Sequence, residues 1–241
     1  MSERTENEIA HGKKLLAEGA ERVWNWDSPQ GRRRADRRAQ YFIDLAKVQP
    51  GEKVLEIGCG TGLFTRKFYA ATKADITAID ISEELLNEAR TLLPEANFQA
   101  DDAMNMKFGD NTFDVVYGSS VLHHLEFDSS LDEIYRVLKP AGRIVFAEPN
   151  MINPQILIQK NIPLIKKWMG DSPDEKAVVR WKFEKLMRDK GFKKVNIFPY
   201  DFLHPAVPRP LINTVSRVGK IIEKIPFLKE IAGSVIIYGE K

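Results

Sequence analysis

Three glycines spaced two apart, Gly58, Gly60 and Gly62, close the apolar run Val54-Leu55-Glu56-Ile57 and open onto Leu63-Phe64-Thr65. A turn with no β-carbon at alternate positions lets a ligand approach the backbone, and the helix behind it presents unpaired N–H groups. That chemistry suits a nucleotide-type ligand. The spacing is not the Gly-x-Gly-x-x-Gly of a dinucleotide site, because Leu63 stands where that fingerprint needs its last small residue. Glu56, two residues before the first glycine, would oppose a pyrophosphate but suit a cationic ligand. Cys59, inside the turn, is expected to be a small packing residue and not a nucleophile.

Further acids follow at regular stations. Asp80 ends Ala78-Ile79-Asp80-Ile81-Ser82, eighteen residues past Gly62, and is placed to accept both hydroxyls of a ribose. In Asp101-Asp102-Ala103, Asp102 is the better candidate to accept from an adenine amino group. Then comes Tyr117-Gly118-Ser119-Ser120-Val121-Leu122-His123-His124-Leu125. An imidazole there could take a proton from a hydroxyl or an activated carbon acid, with His124 preferred over His123. Glu148 is a second candidate, and Tyr200 and His204 are weaker ones. The trio His124, Glu126 and Glu148 lacks the short spacing of a metal site, so no metal is expected.

The elements that must carry these residues alternate. Strands are expected at 53–57, 75–80, 96–100, 113–118 and 142–147, with helical patterns between them, for example 82–92 (capped by Ser82) and 129–138. Such alternation implies right-handed crossovers and a doubly wound α/β fold, a parallel sheet with helices on both faces. Before it, helices are expected over 7–24 and 31–47, an N-terminal helical lid of residues 1–48. After Pro149, the segment 154–169, a helix at 175–190, and strands at 192–198 and 234–239 are expected. Some thirty residues with five prolines and one helix near 210–224 separate the last two strands, too long for a hairpin and expected to be functional. The cofactor domain is thus 49–241, with cap segments at about 150–175 and 200–232.

The 241 residues suffice for one domain with elaborations, and 43% hydrophobic content is ordinary for a globular protein. One cysteine, no run long enough to span a bilayer and no apolar leader after Met1 point to a cytoplasmic protein. The net charge of +2 hides an asymmetry: residues 51–149 hold 9 basic and 17 acidic side chains, and residues 150–241 hold 17 and 9. The apolar, lysine-bearing stripes of 156–169 and 210–224 are expected to pack as cap helices or to form an apolar lid that could touch a membrane surface. Arg32, Arg33, Arg34, Arg37 and Arg38 have no interleaved base-stacking residues, so no nucleic acid is expected.

Taken in order, Glu56 to Gly62, Asp80, Asp102-Ala103, Asn111-Thr112-Phe113-Asp114-Val115-Val116 and Leu138-Lys139-Pro140-Ala141-Gly142-Arg143 resemble the class I S-adenosylmethionine-dependent methyltransferases. Within them the chain is most similar to the small-molecule branch that includes ubiquinone/menaquinone and natural-product methyltransferases. The resemblance covers about residues 45–150. It implies a seven-stranded sheet whose last strand runs antiparallel, and S-adenosylmethionine as cofactor. Gly58 and Gly60 would flank its methionine part, Asp80 its ribose, and Asp102 with Ala103 its adenine; Cys59, Ile81 and Ser119 adjoin these stations. The expected reaction is methyl transfer to an oxygen or carbon of a small, hydrophobic acceptor such as a quinone, lipid or polyketide. A protein that binds the cofactor without catalysis, or an NAD-dependent oxidoreductase, would share part of this pattern.

Overall fold

The computed structural model describes residues 12–13, 15–162 and 177–241. The first residues of the expected helix 7–24, the 163–169 part of 154–169 and the start of 175–190 lie outside them. Strands β1 Lys53–Ile57, β2 Asp75–Asp80, β3 Asn97–Ala100, β4 Phe113–Ser119, β5 Leu138–Pro149, β6 Lys193–Tyr200 and β7 Ser234–Glu240 form one sheet in the order β3-β2-β1-β4-β5-β7-β6. The first five pair in parallel, and β7 runs antiparallel between β5 and β6. This is the Rossmann-like methyltransferase architecture that the alternation and the resemblance lead one to expect.

The strands are buried on both faces, so alternate residues feed two cores. Leu55, Ile57, Val116, Ile144, Phe146 and Ile237 point to one side, against α5 Phe127–Val137 and α7 Arg180–Asp189. Val54, Val115, Tyr117 and Val145 point to the other, against α2 Pro29–Ala46, α3 Leu63–Thr72 and α4 Glu83–Leu92. A four-residue helix α1, Ala20–Val23, precedes these.

Local chemistry sets the helix starts. The Ser28 hydroxyl accepts from Gly31 N ahead of Pro29, and the Ser82 hydroxyl accepts from Leu85 N ahead of Glu83 and Glu84. Asn153 does the same for Pro154 in α6 Pro154–Asn161. Helix α2 buries Ala35, Ala39, Phe42 and Ala46 in the core, so it belongs to the packed body. Before it, Leu15, Trp24 and Trp26 line a cavity at the carboxyl ends of the strands. Between β6 and β7 the insertion carries α8, Ile212–Ile222.

Beneath the sheet's upper edge, Glu56 is fully enclosed, and its Oε2 accepts from Thr65 Oγ1 at 2.5 Å and Tyr117 OH at 2.7 Å. Burial pushes its carboxyl up to about 7, against the downward pull of those two hydroxyls. The folded state therefore holds this proton more tightly than the unfolded chain. Its stabilising contribution is complete below the unfolded value of 4.5 and falls away as pH rises towards 7. Glu56→Gln keeps an oxygen for both hydroxyls and removes that loss. It is expected to raise Tm by on the order of 5 °C at pH 8 and by much less at pH 5, as thermal unfolding at the two pH values will show.

Candidate active site

Where β1 lies between β2 and β4, the crossovers leave in opposite directions, and a crevice opens at the carboxyl ends of the strands. A cavity of about 510 Å³ occupies it. Of the residues singled out from the sequence, Gly58, Cys59, Gly60, Asp80, Ile81, Asp102, Ala103, Ser119, His123 and His124 line this one cavity.

The glycine turn is held open to a ligand. Gly58, Gly60 and Gly62 adopt φ of +67°, +54° and +74°. A β-carbon on Gly60 would lie 2.9 Å from the Trp24 ring, and one on Gly58 only 2.4 Å from Val121. Asp80 braces the turn, its Oδ2 accepting from Gly60 N at 2.8 Å and its Oδ1 from Ser82 N at 3.0 Å. Asp101 gives both oxygens to backbone N–H groups, of Asp102 and of Lys107, whereas Asp102 gives Oδ1 to Met104 N. Asp102 is therefore the freer acceptor of the pair. A narrow backbone cradle, an acid at the end of β2 and an acid with small and apolar neighbours after β3 fit S-adenosylmethionine.

Two expected ligand contacts are corrected. Glu56 does not line the cavity: its carboxylate turns under the sheet to Thr65 and Tyr117, and burial disfavours its charge. Gly62 also lies outside it. Its N–H bonds to Cys59 O, and a β-carbon there would press on Ala89 and Phe98 at 3.2 and 3.4 Å. It serves helix–strand packing.

The rim after β4 holds the polar chemistry. Glu148, completely buried at the end of β5, accepts from Val121 N at 2.9 Å and Leu122 N at 2.8 Å through Oε1. Its Oε2 lies 2.7 Å from His123 Nδ1. Burial alone would raise its pKa, but the His123 bond and charge and the two backbone N–H groups outweigh it and hold the carboxyl below the usual range. Glu148 does not itself line the cavity; it meets the site through His123. With Nδ1 on the carboxylate, any further hydrogen bond of the His123 ring runs through Nε2. This shifts the preference from His124 to His123, whose ring centroid lies 4.1 Å from that of His124.

The weaker candidates separate from the site. The Tyr200 hydroxyl is buried and accepts from Arg38 Nε at 2.9 Å, while the exposed His204 takes Ala206 N at 3.1 Å, away from the cavity.

Sequence reasoning expected an N-terminal lid but did not single out the two tryptophans that line the cavity from that side. Trp24 and Trp26 line it from the N-terminal segment, which Glu21 ties down through Thr61 Oγ1 at 3.3 Å and Arg66 Nη2 at 2.8 Å. Nor did sequence reasoning single out Arg38 within the arginine row of 32–38. Arg38 is 3% exposed and lines the cavity. It donates to the hydroxyls of Tyr200, Ser119, Ser120 and Ser234 and lies over the Trp26 ring at 5.1 Å. No carboxylate pairs with it among the described residues. Alternation along α2 was a usable clue, since Arg38 shares a face with Ala35 and Phe42.

Fold and cavity define a Rossmann-like protein with a candidate nucleotide-type site, and comparison with known proteins says what it resembles. Residues 55–146 match the family model described as a methyltransferase domain. An uncharacterized methyltransferase-like protein of Schizosaccharomyces pombe is 29% identical over 77% of this chain and 70% of its own length. A demethylmenaquinone methyltransferase of Paenarthrobacter aurescens is 35% identical over 55% of each. A SAM-dependent methyltransferase from Archaeoglobus fulgidus shares the fold at a TM-score of 0.62, with 20% identity across 87% of this chain and 94% of that one. The chain carries a methyltransferase domain, and S-adenosylmethionine is its cofactor. It spans 31%, 56% and 55% of three further curated relatives, the demethylmenaquinone methyltransferase being the last. No helix among the described residues is long and apolar enough to cross a membrane.

Proposed function

We propose that this chain moves the methyl group of S-adenosylmethionine to an oxygen or acidic carbon of a small, largely apolar acceptor, with His123 as general base. The observation that carries this reading is the 2.7 Å contact of His123 Nδ1 with a buried carboxylate held ionised at the cavity rim. Such a pair fixes the tautomer, aims Nε2 at the acceptor and stabilises the imidazolium once a proton is taken. The demethylmenaquinone methyltransferase among its relatives fits an acceptor of the quinol kind. Bound S-adenosylmethionine supplies an electrophilic methyl on a sulfonium. The chain's part is to hold donor and acceptor at reacting distance and to exclude water. In this reading residues 15–26, together with α6 and the insertion, form the lid over the 49–241 domain. Incubation with labelled donor and a panel of phenols, quinols and carbon acids tests the proposal. Transfer to none of them, with the donor bound, would favour a protein that only binds the cofactor.

Arg38 has a role in the same reading. This guanidinium, buried among hydroxyls, has no counter-charge among the described residues, and a ligand carboxylate would supply one. The methionine carboxylate of the donor is the anion we assign to it. Arg38→Met is then expected to weaken S-adenosylmethionine about 30-fold, roughly 2 kcal/mol, while leaving 5′-methylthioadenosine, which lacks that carboxylate, unchanged. Calorimetry with both ligands reads the difference. Equal losses for the two would assign Arg38 to the pocket's shape instead.

A further inference from the structure

Beside the cavity mouth the molecule exposes apolar side chains that no core accounts for. Helix α8 buries Ile212 and Gly219 but leaves Val218 and Ile221 in solvent, 48% and 61% exposed. The chain then turns at Phe227, with φ +67° and ψ −47°, and Leu228 N donates to Pro226 O at 2.9 Å. This is a γ-turn of the rare positive-φ kind, which is strained for any residue with a β-carbon. Phe227 gains no burial in return, being 87% exposed. An aromatic ring held outward at such a turn marks a contact to be made.

Three tethers fix this stretch against the mouth. Asn153 Nδ2 donates to Ile231 O at 2.8 Å, Asn150 Nδ2 to Ala232 O at 2.8 Å, and Arg180 pairs with Glu230 at 2.8 Å. They set it next to α6, a helix with no buried residue, whose Ile156, Gln159 and Lys160 line the cavity while Leu157 and Ile158 face out. The apolar face is therefore continuous with the entrance to the active site.

The charges on this face share one sign. Glu223 and Glu230 are engaged by Arg37 and Arg180. Lys224 and Lys229, which flank Phe227, join no ion pair among the described residues, whereas Lys220 turns to a second cavity beside Asp36 and Asp201. Basic side chains around an aromatic and aliphatic tip match an anionic bilayer surface. A second copy of the chain fits worse, since a two-fold contact would set these lysines against one another.

We infer that the 218–231 stretch docks this protein on anionic lipid, Phe227 entering the acyl boundary, so that the cavity mouth opens at the membrane surface. The inference goes beyond the methyl-transfer reading and does not depend on it. The test uses the purified full chain in co-sedimentation with phosphatidylcholine vesicles, with and without phosphatidylserine. Binding should require phosphatidylserine and weaken at high salt. Phe227→Gly suits the turn better while removing the ring, so Tm should hold or rise as vesicle affinity falls about tenfold. Lys224→Glu with Lys229→Glu should abolish the phosphatidylserine dependence, and S-adenosylmethionine affinity should stay unchanged in every variant. Binding that ignores phosphatidylserine, or survives Phe227→Gly, would overturn the inference. So would a concentration-dependent dimer that Phe227→Gly dissolves, which would give the face to a second copy. Loss of donor binding in the parent protein would count against the site assignment alone.

Discussion

Gly60→Val abolishes S-adenosylmethionine binding in calorimetry while the fold survives: this is the expected result. Gly60 sits at φ +54° with its missing β-carbon 2.9 Å from Trp24 Cη2. A β-branched residue is the poorest choice for a positive φ, and two further methyl groups would fill the cradle meant for the ligand. The affinity loss should exceed roughly a hundredfold, about 3 kcal/mol. Trp24 lies against the turn, so Gly60→Val combined with Trp24→Ala separates two causes. Recovered affinity in that pair would mean that the valine only displaced the Trp24 ring. Asp80→Asn is a milder companion, because it weakens the acceptor of the Gly60 N–H without changing shape. Unchanged affinity in Gly60→Val refutes the site.

The second large effect is expected at Glu148. In Glu148→Gln the amide oxygen can keep the N–H groups of Val121 and Leu122, so the rim keeps its shape. The amide nitrogen then donates to His123 Nδ1 and forces the proton onto Nε2, the nitrogen that should accept one. Turnover should fall about 10³-fold with donor affinity intact. Residual activity should have its acid limb at lower pH, because the imidazolium formed during proton abstraction has lost its counter-charge. His124→Ala, by contrast, should cost only several-fold. Full turnover in Glu148→Gln, or a collapse in His124→Ala alone, would move the base from His123.

The parallel core of the sheet was legible almost to the residue, and the reason is physical. Strands such as Lys53–Ile57 and Asp75–Asp80 are short apolar runs bounded by turn residues, and their helices begin at caps like Ser82. The glycine turn could be read because positive φ leaves few residue types to choose from. Glu56 misled because its spacing is right but its direction is not: alternation along β1 sends it to the face that holds Tyr117 and Thr65.

The sequence by itself determined the sheet, the glycine cradle and the acids at 80 and 102, because each depends on neighbours a few residues away. The tertiary structure decided what depends on distant partners. It joined His123 to Glu148 across 25 residues and turned one arginine of a row inward to four hydroxyls from three other parts of the chain. Which His pairs with an acid, and which Arg loses water, are set by burial and orientation. Those belong to packing, and no local pattern encodes them.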